Sequence, residues 1–158
     1  MADETTDHPN INKNIHPPVV ALTYIAIAFL LGWLLPLPLV VPTFLRSIGF
    51  TLVCIGFLFG AGAFNEFRKA RTTLDPHGSV KQIVKSGVYR LTRNPIYLGF
   101  LLIVIGLPLN FGFYWGILCA PFFVVTLTRL VIEREEAYLE KKFKEQYTAY
   151  KSSVRRWL

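Results

Sequence analysis

The sequence predicts an all-α fold: an integral membrane helix bundle of about four transmembrane helices, the last two a helical hairpin, with a cytoplasmic C-terminal helix. Three observations carry this. Of the 158 residues, 53% are hydrophobic and only 17% charged, against roughly 25% charged in an average protein. The deficit is concentrated: no charged side chain occurs over 14–45, 47–65 or 94–128, and each block reaches the roughly 18–20 residues that a spanning helix needs. The remaining charge is clustered, with seven of the 17 Lys and Arg between Arg68 and Arg93 and eight between Arg129 and Arg156. Helices follow from the solvent, because lipid-exposed backbone must satisfy its hydrogen bonds internally.

Taken in order, residues 1–16 read as a flexible polar tail that lacks the basic start of a signal peptide, and 17–158 as one membrane domain. The first span runs from Pro18 to Leu35. It ends at the dense prolines Pro36, Pro38 and Pro42, which cannot continue a helix. A second span fits Phe44 to Phe64, where Gly49, Gly56, Gly60 and Gly62 permit close helix contact and Arg46 can snorkel at the start. The polar stretch from Glu66 to Arg93 holds the turn Asp75-Pro76-His77-Gly78. The 35 uncharged residues after it are too long for one crossing. Gly106, Pro108, Asn110 and Gly112 divide them into a hairpin, Pro95 to Leu107 and Phe113 to Ile132. The second arm continues to about Phe143, and a last short helix or extended piece holds Tyr147, Tyr150 and Trp157, aromatic residues suited to the interface.

The net charge of +7 is better explained by topology than by nucleic acid, which is excluded as a partner. Both basic segments belong on the cytoplasmic side by the positive-inside rule, and four spans place both termini there. Cys54 and Cys119 lie in apolar runs and read as buried thiols packing as small hydrophobes.

Two segments can carry chemistry. In the first, Val84 to Gly99, Asn94 suits a helix N-cap and Pro95 the first helical position, so a helix begins where the membrane does. Its free N–H groups suit an anionic or polar ligand. The bland alternative is an interfacial turn with Arg90 and Arg93 facing lipid phosphates. In the second, Arg129 to Glu136, helical spacing puts Glu133, Glu136 and Glu140 on one face and turns Glu135 back toward the bundle. Its alternative is a solvated charged face with pairs such as Arg129–Glu133. Together the segments offer carboxylates, arginines, helix N–H groups and aromatic rings beside an apolar bundle. That suits an amphipathic cofactor acting on a lipophilic substrate.

The run GVYRLTRNPIYLG, followed by EREEAYLEKKFKEQYTAYKSSVRR, resembles the isoprenylcysteine carboxyl methyltransferases and the related phospholipid methyltransferases, over roughly half of the chain. The resemblance implies a small multi-span enzyme using S-adenosyl-L-methionine without a Rossmann domain. It implies cofactor contacts at Lys81, Gln82, Ile83, Val84, Tyr89, Asn94 and Glu135. The pair Gly60 and Gly62 is similar to a glycine motif of the phospholipid enzymes. Asn94 stands where prenylcysteine enzymes carry His, and Val131 where they carry a substrate-binding arginine, which leaves Arg129 and Arg134 as the substrate-binding candidates. The expected partners are membrane lipids and a lipophilic small-molecule or lipid-modified methyl acceptor: a carboxylate, thiol, amine or lipid. Competing readings are an NAD(P)H-dependent sterol-type reductase and a non-enzymatic lipid-binding membrane protein. The catalytic residues, the acceptor and the oligomeric state are not legible in the sequence, and no metal site is expected.

Overall fold

A computed structural model of the chain describes residues 15–70 and 82–158. The expected N-terminal tail, the turn at 75–78 and the cofactor candidate Lys81 lie outside the described residues. The described chain is all helical. Helix α1 is Pro17–Leu34 and α2 is Thr43–Lys69. A 3₁₀ turn at Gly87–Arg90 precedes α3, Pro95–Asn110. Then come α4, Trp115–Leu127, a π turn at Thr128–Ile132, α5, Glu133–Phe143, and α6, Glu145–Ser153.

Among the described residues, three stretches are long and apolar enough to cross a membrane: α1, α2 and the continuous Trp115–Phe143 helix. The fourth apolar helix, α3, has 16 residues, or about 24 Å at 1.5 Å per residue. It forms the expected hairpin with α4, turning at Gly112, whose φ is +96°. Pro108 lies inside α3 without ending it, so the helix runs three residues beyond the expected Leu107.

Helix α3 is central, packing along α2 and touching α4 and α1. Lipid tails are as apolar as leucine, so close van der Waals fit rather than hydrophobic drive joins helices here. The α2–α3 seam shows this. A Cβ on Gly106 would lie 2.5 Å from the Gly49 carbonyl oxygen, and one on Gly49 would lie 2.7 Å from that of Gly106. Gly56 and Gly99 repeat the arrangement at 2.7 Å in each direction. On the other side of α3, Tyr97, Val104, Phe123, Leu127, Val131 and Ile132 form the buried core. Cys119 is buried as expected, but Cys54 is exposed on the outer face of α2. The reason is that Gly49, Gly56 and Ala63 take the inward face.

Both basic segments gather at one end of the bundle. The Tyr150 hydroxyl donates to the Tyr89 carbonyl at 2.7 Å, Lys85 Nζ to the Gln146 carbonyl at 3.0 Å, and the Arg93 N–H to the Arg155 carbonyl at 2.9 Å. Ile15, just before α1, and Trp157, in the C-terminal segment, both pack against the buried core.

Candidate functional site at the polar end of the bundle

The site begins with the backbone of the segment before α3. Gly87 has φ +57°, a conformation that costs glycine little. A Cβ there would meet the carboxyl group of Glu66 at 2.7 Å. The turn thereby seats Glu66, which is buried near the end of α2 and accepts hydrogen bonds from Ser86 Oγ and, at 2.9 Å, Lys69 Nζ. The following residues direct Tyr89 inward, with its ring edge-on to Phe67 at 5.5 Å. Burial, then Tyr150 and Glu135 nearby, hold the Tyr89 phenol well above the ordinary tyrosine range. Burial pushes Tyr150 up to about 12. Both hydroxyls are therefore neutral hydrogen-bonding groups near neutral pH.

Asn94 occupies the N-cap position of α3, but its side chain makes no cap bond. Its Nδ2 instead donates to the Arg156 carbonyl at 2.9 Å, where the Thr92 hydroxyl also donates at 3.0 Å. The expected capping role is thus replaced by a link to the C-terminal strap, while Asn94 Oδ1 has no hydrogen-bond partner among the described residues.

Glu135 turns toward the bundle as the spacing predicts. It is half-buried and accepts a hydrogen bond from the Tyr97 hydroxyl at 2.7 Å. Among the described residues it has no ion pair. A half-buried carboxylate without a cation suits an external ammonium, since a charge removed from water needs a partner.

Glu136 departs from the expected solvated face. Its side chain is only 8% exposed, and it binds Arg156 through Nε at 3.0 Å and Nη2 at 2.7 Å, with Arg93 Nη2 at 3.2 Å. The cause is the C-terminal strap, residues 154–158, which folds over this side of α5. Arg93 likewise does not face lipid phosphates. Its side chain is 8% exposed, with Nε and Nη1 unpartnered among the described residues. Glu140 does keep an exposed position, paired with Lys151.

The structure brings Tyr89, Asn94 and Glu135 to one end of the bundle. Val84 is buried beside Tyr89, Ile83 is half-buried, and Gln82 is exposed, its amide donating to the Ala70 carbonyl. Arg129 is not brought to Glu135: it is exposed and binds Glu133 at 3.1 Å. Arg134 is exposed. Val131 is fully buried in the core, so this position holds packing and no ligand group. A Cβ on Gly62 would meet Val88 at 2.8 Å, whereas Gly60 faces open space. Sequence reasoning missed Tyr97, Glu66 and the Arg93–Glu136–Arg156 network. Tyr97 had a signal, because it follows Asn94 by three residues and so returns to the same end of α3.

A family profile described as phospholipid methyltransferase matches residues 45–146, well over half of the chain and a range that includes Tyr89, Asn94, Tyr97 and Glu135. The chain belongs to the phospholipid methyltransferase family. It is thus placed among the membrane methyltransferases, in agreement with its three long apolar helices. An uncharacterized protein of Haemophilus influenzae is 41% identical over 63 residues, which are 40% of this chain and the whole of that protein. No solved structure matches the chain.

Proposed function

We propose that the protein transfers a methyl group from S-adenosyl-L-methionine to a lipophilic acceptor at the cytoplasmic face of the membrane. The observation that carries this reading is Glu135: half-buried, held by Tyr97 and unpaired with any cation among the described residues. Beside it, Glu136 is fully occupied by two arginines. When bound, S-adenosyl-L-methionine supplies a methyl group already activated by its sulfonium. The protein's work is then alignment and exclusion of water.

In this reading Glu135 holds the cofactor's ammonium by a charge-assisted hydrogen bond, and Tyr97 fixes the carboxylate that does so. Tyr89 closes the apolar wall, and Asn94 offers its free Oδ1. The N–H groups of Ile83 and Val84 are available to the carboxylate or adenosine end. The acceptor enters laterally between helices with its apolar part in lipid. A carboxylate or thiolate acceptor needs no base from the protein, whereas an amine must first lose a proton. The family membership favours this reading over the reductase and the non-enzymatic lipid binder.

Calorimetric titration of the detergent-purified protein with S-adenosylhomocysteine tests it. Wild type should bind, and Glu135→Gln should weaken binding about 10- to 100-fold, the roughly 1.5–3 kcal/mol of a hydrogen bond to a charged group. Absence of wild-type binding, or undiminished binding by Glu135→Gln, refutes the assignment. Incubating lipid extracts with labelled S-adenosyl-L-methionine then identifies the acceptor.

A further inference from the structure

Away from Glu135, the segment before α3 and the last helix flank a separate, open-sided cleft of about 320 Å³. Lys85 and Arg90 line one side, Tyr150, Ser153 and Val154 the other, and no carboxylate lines it. Lys85 Nζ donates to the Gln146 carbonyl and sits 5.9 Å from the Tyr150 ring centroid. Both partners are neutral, so its charge is uncompensated. Arg90 is exposed and has no ion pair among the described residues. The cleft therefore presents two cations to whatever enters it.

Its depth is set by its neighbours. Arg90 lies five residues before Pro95, where the apolar helix α3 begins, and Leu91 beside it is 60% exposed. The Tyr150–Tyr89 hydrogen bond fixes α6 at the same level. A basic cleft whose Arg90 is followed by an exposed leucine, in the segment that leads into the apolar helix α3, matches a ligand with an anionic head and an apolar tail. Arginine's planar donors and lysine's compact charge are both suited to phosphate oxygens. The volume lies at the low end of the ~300–1,000 Å³ typical of ligand sites, which admits a headgroup rather than a whole lipid.

We infer that this cleft binds the phosphate of an anionic phospholipid headgroup between Lys85 and Arg90. Both proposed phosphate ligands lie in the segment before α3, and α6 forms the facing wall, held there by the Tyr150–Tyr89 hydrogen bond. The site is independent of the methyl-transfer reading, and its test contains no S-adenosyl compound.

Native mass spectrometry of the full chain in neutral detergent, titrated with phosphatidylglycerol, phosphatidylcholine or inorganic phosphate, decides the matter. Phosphatidylglycerol should be retained at least tenfold more strongly than phosphatidylcholine. The double variant Lys85→Gln/Arg90→Gln should lose that preference, while Lys85→Arg and Lys151→Gln, the latter outside the cleft, keep it. Equal retention of the two lipids by wild type, an undiminished preference in the double variant, or loss of preference in Lys85→Arg overturns the site. Competition by inorganic phosphate at the lipid's own concentration overturns the lipid as its source.

Discussion

Along the α2–α3 seam, Gly49 and Gly106 lie so close that each would drive a Cβ into the other's carbonyl. At the opposite end of α3, side-chain tips make the contacts: Tyr97 on Glu135, Arg93 and Arg156 on Glu136, Asn94 on the Arg156 carbonyl. The seam lies deep in the apolar bundle, where fit is the available attraction and polar atoms are costly. The polar end lies where α3 begins, and charge can be concentrated there provided that it is paired. Within this end a second contrast appears. Glu136 is enclosed between two arginines, whereas its neighbour Glu135 is hydrogen-bonded to Tyr97 and has no ion pair among the described residues, which is what the proposed ammonium site requires.

The largest effect expected from breaking this comparison is at Glu136. Glu136→Ala leaves Arg93 buried, with Nε and Nη1 already unpartnered and its Nη2 contact gone. Removing one partner of a buried ion pair costs about 3–5 kcal/mol. Thermal unfolding in detergent, followed by tryptophan fluorescence, should show a large fall in midpoint, and Arg93→Met in the same chain should recover part of it. An unchanged midpoint for Glu136→Ala would mean that the network carries no stability. Glu135→Gln should do the reverse: its amide oxygen can still accept from Tyr97 and it removes a half-buried charge that has no cation among the described residues, so stability should hold or rise while S-adenosylhomocysteine binding weakens. If Glu135→Gln destabilises as strongly as Glu136→Ala, the division of roles between the two carboxylates fails.

The seam should respond less, and to size rather than charge. Gly106→Ala places a methyl group against backbone that no rotamer change can move, and overpacking of this kind costs about 1–3 kcal/mol. Gly60→Ala, on the same helix as Gly49 but facing open space, should be neutral. Equal melting of the two variants would show that α2 and α3 are not held by close backbone approach.

The fold was legible because its causes are local. Uncharged blocks mark the spans, and the break at Gly106–Gly112 marks the hairpin. The positions of Asn94 at the start of α3 and of Glu135 facing inward follow from helix geometry alone. What helical spacing could not supply were contacts made by chain returning from elsewhere. Glu136 meets Arg93, 43 residues before it, and Arg156, 20 residues after it, and nothing in a helical wheel announces that a C-terminal strap will cover that face. Asn94 lost its cap bond to the same strap. The π turn at Thr128–Ile132 is also silent in the sequence, since an extra residue in a turn carries no composition signal of its own.

That strap depends on a joint between α5 and α6, where a smaller gain in stability is expected. Lys144 has φ +44° and ψ −121°, close to the first central position of a type II′ turn, which favours glycine. The conformation is held from both sides: the Lys144 N–H donates to the Glu140 carbonyl at 2.9 Å, and its own carbonyl accepts from Tyr147 and Thr148 at 3.1 Å. Residues kept in such regions cost on the order of 1–3 kcal/mol, and glycine removes most of this while adding conformational entropy to the unfolded chain. Lys144→Gly should therefore raise stability by a net amount of about 1 kcal/mol. Lys144→Ala, which removes the side chain's charge but keeps the Cβ, should give no gain. If the alanine variant melts above the glycine variant, the joint is not strained, and the fold-back that carries Tyr150 to Tyr89 and Arg156 to Glu136 must be held by those contacts alone.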